Sequence, residues 1–295
     1  MPKRTLFAAV AGVAALASMP GLAQTPAPTF ATTKVEGTDN VYIFRYQNHQ
    51  AMFIVTPAGV IATDPISYGR PQAAKTYIEE IQKITKAPIK YLIYSHHHYD
   101  HIAGGKPFKD AGARIIAHKR AKERLEALKG LDIALPDEAV DNKRTLKLGG
   151  TTLELHYTGR NHSDSSLVML LPKEKLIFVV DFNALGAVPS RLAVNDSYPV
   201  EWEASLKRTL ALKWERMIPG HPGPGGRLGT RADMEQQLAF MTELSNEVKK
   251  ASDAGKCFSP ADTEVKLPSF ATLSNYEQNL AWNVHRWCSY WGRGI

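Results

Sequence analysis

The run S-H-H-H-Y-D-H-I-A-G-G, from Ser95 to Gly105, constrains this chain more than any other stretch. It follows Ile89 to Tyr94, an apolar segment rich in β-branched and aromatic residues that predicts a buried strand. Four histidines and an aspartate therefore sit where a strand gives way to a turn, and Gly104 and Gly105 let the backbone bend tightly there. Alternation along an extended stretch puts His96 and His98 on one side; Asp100 continues the alternation and His101 turns away from it. Imidazole nitrogens and carboxylate oxygens at such spacing are the donors that a borderline divalent metal such as zinc takes.

A solvated polar loop could carry the same letters, so the downstream residues matter. His162 lies in G-R-N-H-S-D-S-S, just after the strand-like Thr152 to Tyr157. Asp181 ends the apolar run Leu176 to Val180, and His221 lies in I-P-G-H-P-G after another short apolar stretch. Each sits at the end of a predicted strand, where loop-borne functional residues converge in layered α/β folds.

This order resembles the metallo-β-lactamase fold superfamily, whose signature is H-x-H-x-D-H followed by a lone His, a bridging Asp and a last His. The resemblance runs from about Thr33 to Thr230. It implies an α/β fold, a four-layer αββα sandwich with two metals in a cleft at one edge, here followed by a C-terminal helical segment. His96, His98 and His162 would hold one metal, Asp100, His101 and His221 the other, and Asp181 would bridge them. The expected cofactors are two Zn2+, with iron or manganese as alternatives for the same ligands. Two divalent ions about 3.5–4 Å apart can share a water and lower its pKa towards neutrality, giving a hydroxide to attack a carbonyl or phosphoryl centre. Asp100 is the candidate to move a proton to the leaving group. Tyr99, Asn183 and Arg191 are candidate substrate contacts, Tyr99 or Asn183 at the oxyanion.

Met1 to Ala23 reads as a secretory signal: Lys3 and Arg4, then twelve apolar residues from Leu6 to Ala17, then Gly21-Leu22-Ala23 as a small-residue cleavage site. The apolar core is short of the about 20 residues a membrane span needs. The expected location is therefore periplasmic or secreted, with no stable membrane insertion after cleavage. Residues 24–32 form a flexible lead-in, and 33–295 one hydrolase domain with 231–295 as a helical extension. At 44% hydrophobic and 22% charged, the chain can bury a full core. The net charge of +7 includes Lys3 and Arg4, and the excess is spread along the sequence, so nucleic-acid binding is not expected. The partner is a small-molecule substrate. Cys257 and Cys288 are either a disulfide tying the C-terminal segment together or two buried thiols.

Strands are expected at Asn40 to Tyr46, His49 to Thr56 and Gly59 to Asp64. A helix opens at Pro71 with Ala74, Tyr77, Ile78, Ile81 and Ile84 on one face. A helix–strand set occupies Lys106 to Ala127, a polar loop Gly130 to Asp141, and a strand-rich half Arg144 to Val180. Asn183 to Pro199 shows no periodicity, and structureless stretches of that length inside a domain are usually functional. Helices follow at Val200 to Leu212, from the capping box Thr230-x-x-Asp233, and from Ser274-x-x-Glu277. Asp64 is expected to brace the metal loop. His49, His97, His118, His156 and His285 have no place in the ligand pattern and are expected to be structural or surface residues.

The function these residues imply is a dinuclear zinc-dependent hydrolase acting on a lactone, ester or β-lactam. No cysteine ligand and no arginine in place of His101 are present, which sets aside the β-lactamase subclass that uses them. A bridging Asp181 is more like glyoxalase II enzymes and lactonases, yet an export signal and a tail without a basic glutathione-binding motif speak against glyoxalase II. The alternatives on the same fold are an iron-dependent persulfide dioxygenase-type oxidoreductase, a phosphodiesterase or nuclease, and a non-catalytic module.

Overall fold

A computed structural model describes residues 28–128 and 133–295. The expected signal, 1–23, lies outside the described residues. Among the described residues, thirteen strands form two sheets. The first runs in sequence order: β1 (Phe30–Lys34), β2 (Val41–Tyr46), β3 (His49–Thr56), β4 (Gly59–Thr63), β5 (Ile89–Ile93), β6 (Arg114–His118) and β7 (Glu138–Val140). Its pairings are antiparallel as far as β4 and parallel from there to β7. The second sheet contains β8 (Lys143–Leu148), β9 (Thr151–Tyr157), β10 (Leu167–Leu171), β11 (Leu176–Val179), β12 (Arg216–Pro219) and β13 (Gly229–Thr230), side by side in that order. Only β11 and β12 pair in parallel within it, with Val179 opposite Pro219.

The apolar runs were continuous because both faces of these strands are covered. On β3, Met52 and Ile54 point between the sheets while Ala51 and Phe53 point outward; on β11, Leu176 and Phe178 point inward and Ile177 and Val179 outward. The inner set, with Ile61, Ile93, Leu153, Leu155 and Met169, forms a dry layer between the two sheets. Helices α1 (Ala73–Ile84), α2 (Tyr99–Ile102), α3 (Lys106–Asp110) and α4 (Lys119–Ala127) belong to the first half of the chain. Tyr77 of α1 and Phe108 of α3 pack on Phe44 and Phe53 outside the first sheet, with the Tyr77 and Phe44 rings stacked at 4.4 Å. The second half adds α5 (Arg191–Val194), α6 (Pro199–Leu210), α7 (Arg231–Asp253), α8 (Ala261–Glu264) and α9 (Tyr276–Arg293). Trp202 of α6, Phe240 of α7 and Trp287 of α9 cover the outer face of the second sheet through Val168, Ile177 and Val179. The result is the four-layer αββα sandwich with C-terminal helices.

Several local expectations need correction. The lead-in is shorter than 24–32, because Phe30–Lys34 pairs with β2 as an edge strand. The polar stretch before Asp141 ends in a parallel strand, β7, and the aperiodic stretch after Asp181 contains one helical turn, α5, too short to show a 3.6-residue period. Alternation past the metal run stops at His98, because Tyr99 begins the helix α2. The last helix starts one residue later than Ser274 suggested: Asn275 adopts φ +60° and makes no side-chain cap. By contrast, Thr230 and Asp233 form the reciprocal capping box of α7. Among the described residues, no helix is long and apolar enough to cross a membrane.

Cys257 and Cys288 are joined in a disulfide that ties the segment before α8 to the buried face of α9, closing a loop across 31 positions. A loop of this length stabilises by about 2–4 kcal/mol, mainly by restricting the unfolded chain. The Cys257→Ala/Cys288→Ala protein should therefore melt roughly 5–15 °C lower by differential scanning calorimetry. The unmodified protein should show the same drop when it is scanned in excess reductant.

Candidate metal centre

The donors meet at one edge of the sandwich, where β4, β5, β11 and β12 end. His96 and His98 follow β5, His162 follows β9, Asp181 follows β11 and His221 follows β12. Asp100 and His101 come from α2, so a helical turn and not an extended strand brings them in. Among the described residues, three groups of side chains have donor atoms mutually close enough to hold an ion: His96, His98 and His162; His49, Asp100, His101 and His221; and His97, His98 and Asp196. The first two abut. Asp181 Oδ2 lies 3.1 Å from His101 Nε2, 3.6 Å from His162 Nε2 and 3.8 Å from His96 Nε2, while its Oδ1 lies 3.1 Å from His221 Nε2.

Four of these imidazoles have one nitrogen hydrogen-bonded from outside and the other turned inward, where His98 Nδ1 and His162 Nε2 meet at 2.8 Å. Ser95 Oγ is 2.9 Å from His96 Nδ1, and Asp196 Oδ2 is 2.9 Å from His98 Nε2. His162 Nδ1 donates to the Ala193 carbonyl at 2.8 Å, and His221 Nδ1 to the Asn48 carbonyl at 2.6 Å. Asp64 Oδ2 stands 3.7 Å from His101 Nδ1, while Asp64 Oδ1 accepts from the Ser95 amide at 2.7 Å, so Asp64 braces the loop. An outward hydrogen bond of this kind fixes the tautomer of a metal-binding histidine and aims its free lone pair. The inward atoms fit a cation: His96 Nε2, His101 Nε2 and Asp181 Oδ1 are buried and make no hydrogen bond. Burial without a partner is costly for such groups, and a shared divalent ion is the partner their donor chemistry suits.

The electrostatics show a cluster that favours positive charge around Asp181. Burial pushes the Asp181 carboxyl up, but the His101 and His221 rings outweigh it and hold the group well below the usual carboxylate range. Burial likewise opposes charge on His101, and Asp181 and Asp64 more than reverse it. Asp100 is raised by burial yet held down at about 2 by the hydrogen bond from His49 and by His101. Burial lowers His96 and His162, which favours their neutral rings.

Backbone strain marks the same place. Asp181 has φ +66° and Asp64 φ +27°, both in the left-handed region that few non-glycine residues adopt. Gly220, beside Asp181, leaves room for it: a Cβ there would stand 2.6 Å from Val180 Cγ1 and 3.2 Å from Asp181 Oδ1.

The seven expected ligands are therefore brought together. Of the expected substrate contacts, Tyr99 and Asn183 line the cleft above them, and Asn183 is 7% exposed with neither amide atom paired. Arg191 is not a cleft residue; its guanidinium lies 4.2 Å from the Trp282 ring centre, stacked outside. His49 was expected to be structural or on the surface, and that reading is corrected. Its Nε2 lies 3.1 Å from Asp100 Oδ2, and its ring packs on His221 with centres 4.3 Å apart. Asp196 was not foreseen at all. His97 does stay out of the main cluster, hydrogen-bonded to Ser165 Oγ at 2.8 Å and Ser163 Oγ at 3.1 Å. His118 stacks on Tyr157, and His156 pairs with Glu154.

Comparison with known proteins gives the same frame. The chain is 28% identical over 216 residues to the 2,4-dinitroanisole O-demethylase subunit alpha of Nocardioides sp. (strain JS1661), covering 70% of this chain and 62% of that one. It is 28% identical over 176 residues to a metallo-beta-lactamase type 2 of Bacillus cereus, covering 58% and 66%. It thus spans a little under two thirds of these relatives' own length. Among solved structures, the DIM-1 metallo-beta-lactamase superposes with a TM-score of 0.63 at 20% identity, over 73% of this chain and 98% of that one. A metallo-beta-lactamase from Pontibacter korlensis gives 0.62 at 18%, over 72% and 99%. The sequence model of the metallo-beta-lactamase superfamily matches residues 51–221, which hold His96, His98, Asp100, His101, His162, Asp181 and His221, and the chain belongs to that superfamily.

Proposed function

We propose that this protein is a dinuclear zinc hydrolase that opens a lactone, ester or β-lactam carbonyl. The observation that carries the reading is the pair of abutting donor groups around Asp181, with His96, His98, His162 and His221 each tied outward by one nitrogen and turned inward by the other. When bound there, a pair of divalent ions supplies Lewis acidity, polarising a carbonyl and making a water acidic enough to deprotonate near neutral pH. The chain's residues do the rest. His96, His98 and His162 would hold one ion and Asp100, His101 and His221 the other, with the Asp181 carboxylate between the two groups. His49 holds Asp100 Oδ2 by a hydrogen bond, which leaves the second oxygen of a firmly ionised carboxylate to take a proton and pass it to the leaving group. Asn183 offers the cleft an unpaired amide for the oxygen on which negative charge develops. A periplasmic or secreted location is part of the proposal, supported by the leader-like first residues and by the disulfide, which persists in oxidising compartments.

Elemental analysis of protein purified from zinc-supplemented medium should return about two zinc ions per chain, falling to about one in Asp181→Ala or His221→Ala. A panel of aryl ester, homoserine lactone, nitrocefin and 2,4-dinitroanisole, the last because of the O-demethylase relative, then separates the substrate classes. No turnover of any of them by fully loaded protein would remove the hydrolase reading. Asp100→Asn should lower kcat by roughly a hundredfold or more on whichever substrate is cleaved. Asp196→Ala, which frees His98 Nε2, should weaken binding of one ion by about ten- to a hundredfold in competition with a chromophoric chelator. An unchanged chelator curve would show that Asp196 does not position His98.

A further inference from the structure

The cleft above the donor cluster encloses about 1090 Å³, far more than a carbonyl and a water require, and its upper wall is apolar. Two of the most exposed large apolar side chains among the described residues open onto it: Leu192, 79% exposed on α5, and Tyr68, 62% exposed on the loop after β4. Leu185, Val188 and Pro189 continue the wall. A leucine left in water forfeits the free energy of its burial, and apolar side chains gathered at a cleft mouth mark a surface that a ligand covers.

This roof is held in place before anything binds. Val188 donates its amide to the Ser274 carbonyl at 3.0 Å, Asn279 Nδ2 to the Val188 carbonyl at 3.1 Å, and Asn283 Nδ2 to the Pro189 carbonyl at 2.9 Å. Further along, Arg286 Nε donates to the Ser197 carbonyl at 3.0 Å. These anchors lie on α9 or just before it, beyond the residues 51–221 that the superfamily shares. The roof itself lies within the matched segment, and its anchors lie outside it.

The charges along the cleft decide what the roof receives. Outside the histidines and carboxylates of the donor cluster, the one charged side chain lining it among the described residues is Arg70. Arg70 is already engaged, its Nε donating to the Ile66 carbonyl at 2.8 Å and its Nη2 to the Asp100 carbonyl at 2.7 Å. Arg191, on the same roof helix as Leu192, is stacked on Trp282 instead. A substrate carboxylate, such as a β-lactam antibiotic carries, finds no free side-chain cation here, whereas an alkyl or aryl group finds Leu192, Tyr68 and Val188. Resting on the hydrolase reading above, we infer that the substrate is an uncharged ester or lactone with a medium-length apolar chain or ring. That apolar part lies under the α5 roof while its carbonyl faces the donor cluster.

The test uses the full metal-loaded chain with p-nitrophenyl acetate, butyrate, hexanoate and octanoate, and with nitrocefin. The expected kcat/KM rises several-fold with each pair of added methylenes, by at least about tenfold from acetate to hexanoate, and nitrocefin falls below hexanoate. Leu192→Ser and Tyr68→Ala, both at exposed positions, should lose more on hexanoate than on acetate. Calorimetric titration with methyl ketones from butanone to octanone gives a second readout that needs no turnover, and affinity should climb with chain length and climb less in Leu192→Ser. A flat or falling series, equal losses across the series in Leu192→Ser, or nitrocefin as the best substrate would overturn the inference. If no ester is cleaved but the ketone gradient holds, the hydrolase reading fails and the apolar subsite stands. Ester cleavage without any gradient would do the reverse.

Discussion

A single buried carboxylate, Asp181, is the constraint on which the rest of the centre depends. A carboxylate taken out of water is costly unless charge and hydrogen-bond donors replace the solvent. Here the nitrogens of His96, His101, His162 and His221 approach it from two sides. That meeting requires β11 and β12 to run in parallel and to end together, so that Asp181 and His221 emerge from neighbouring strands. Val179 opposite Pro219 sets this register, and the Gly220 amide bonds back to the Val179 carbonyl at 3.0 Å. It also requires Asp181 to accept φ +66° and Gly220 to carry no side chain. The packed layers beneath supply the stability that holds such a strained, charged edge in place.

Around that carboxylate the protein spends its polar groups on aim. Ser95, Asp196, Ala193 and Asn48 each take the outer nitrogen of a different histidine by a hydrogen bond, and Asp64 stands 3.7 Å from that of His101. None of the five is a donor of the superfamily signature, yet each sets where a donor's lone pair points. His49 does the same for Asp100. The centre is therefore a set of oriented donors, and orientation is what separates it from a chance gathering of surface histidines.

What the sequence disclosed follows the range of the interactions involved. The donor run from His96 to His101 was readable because its members are adjacent, and the strands because apolar residues on both faces make unbroken runs. The cap of α7 was readable because Thr230 and Asp233 are three positions apart. His49 and Asp196 were hidden because their partners, Asp100 and His98, are far away in the chain and no local pattern marks them. Arg191 looked like a cleft residue because of its loop, and only the fold reveals Trp282 beneath it. The helical turn α2, which ends the alternation at His98, comes from backbone geometry that an extended reading of the run cannot anticipate.

The supports of the two donor groups come from different parts of the molecule. His101, His221 and Asp100 are braced by Asp64, Asn48 and His49, all on the first sheet or its turns. His162 and His98 are braced by Ala193 and Asp196, which lie on the roof segment fixed by α9. One half of the centre thus takes its geometry from the sandwich itself, and the other half from the same C-terminal helix that shapes the cleft. A change in how α9 holds the roof reaches His162 and His98 through a single hydrogen bond each, while His101 and His221 keep their own supports. Asp181, touching both groups, is where a change in the shape of the cleft becomes a change in the chemistry below it.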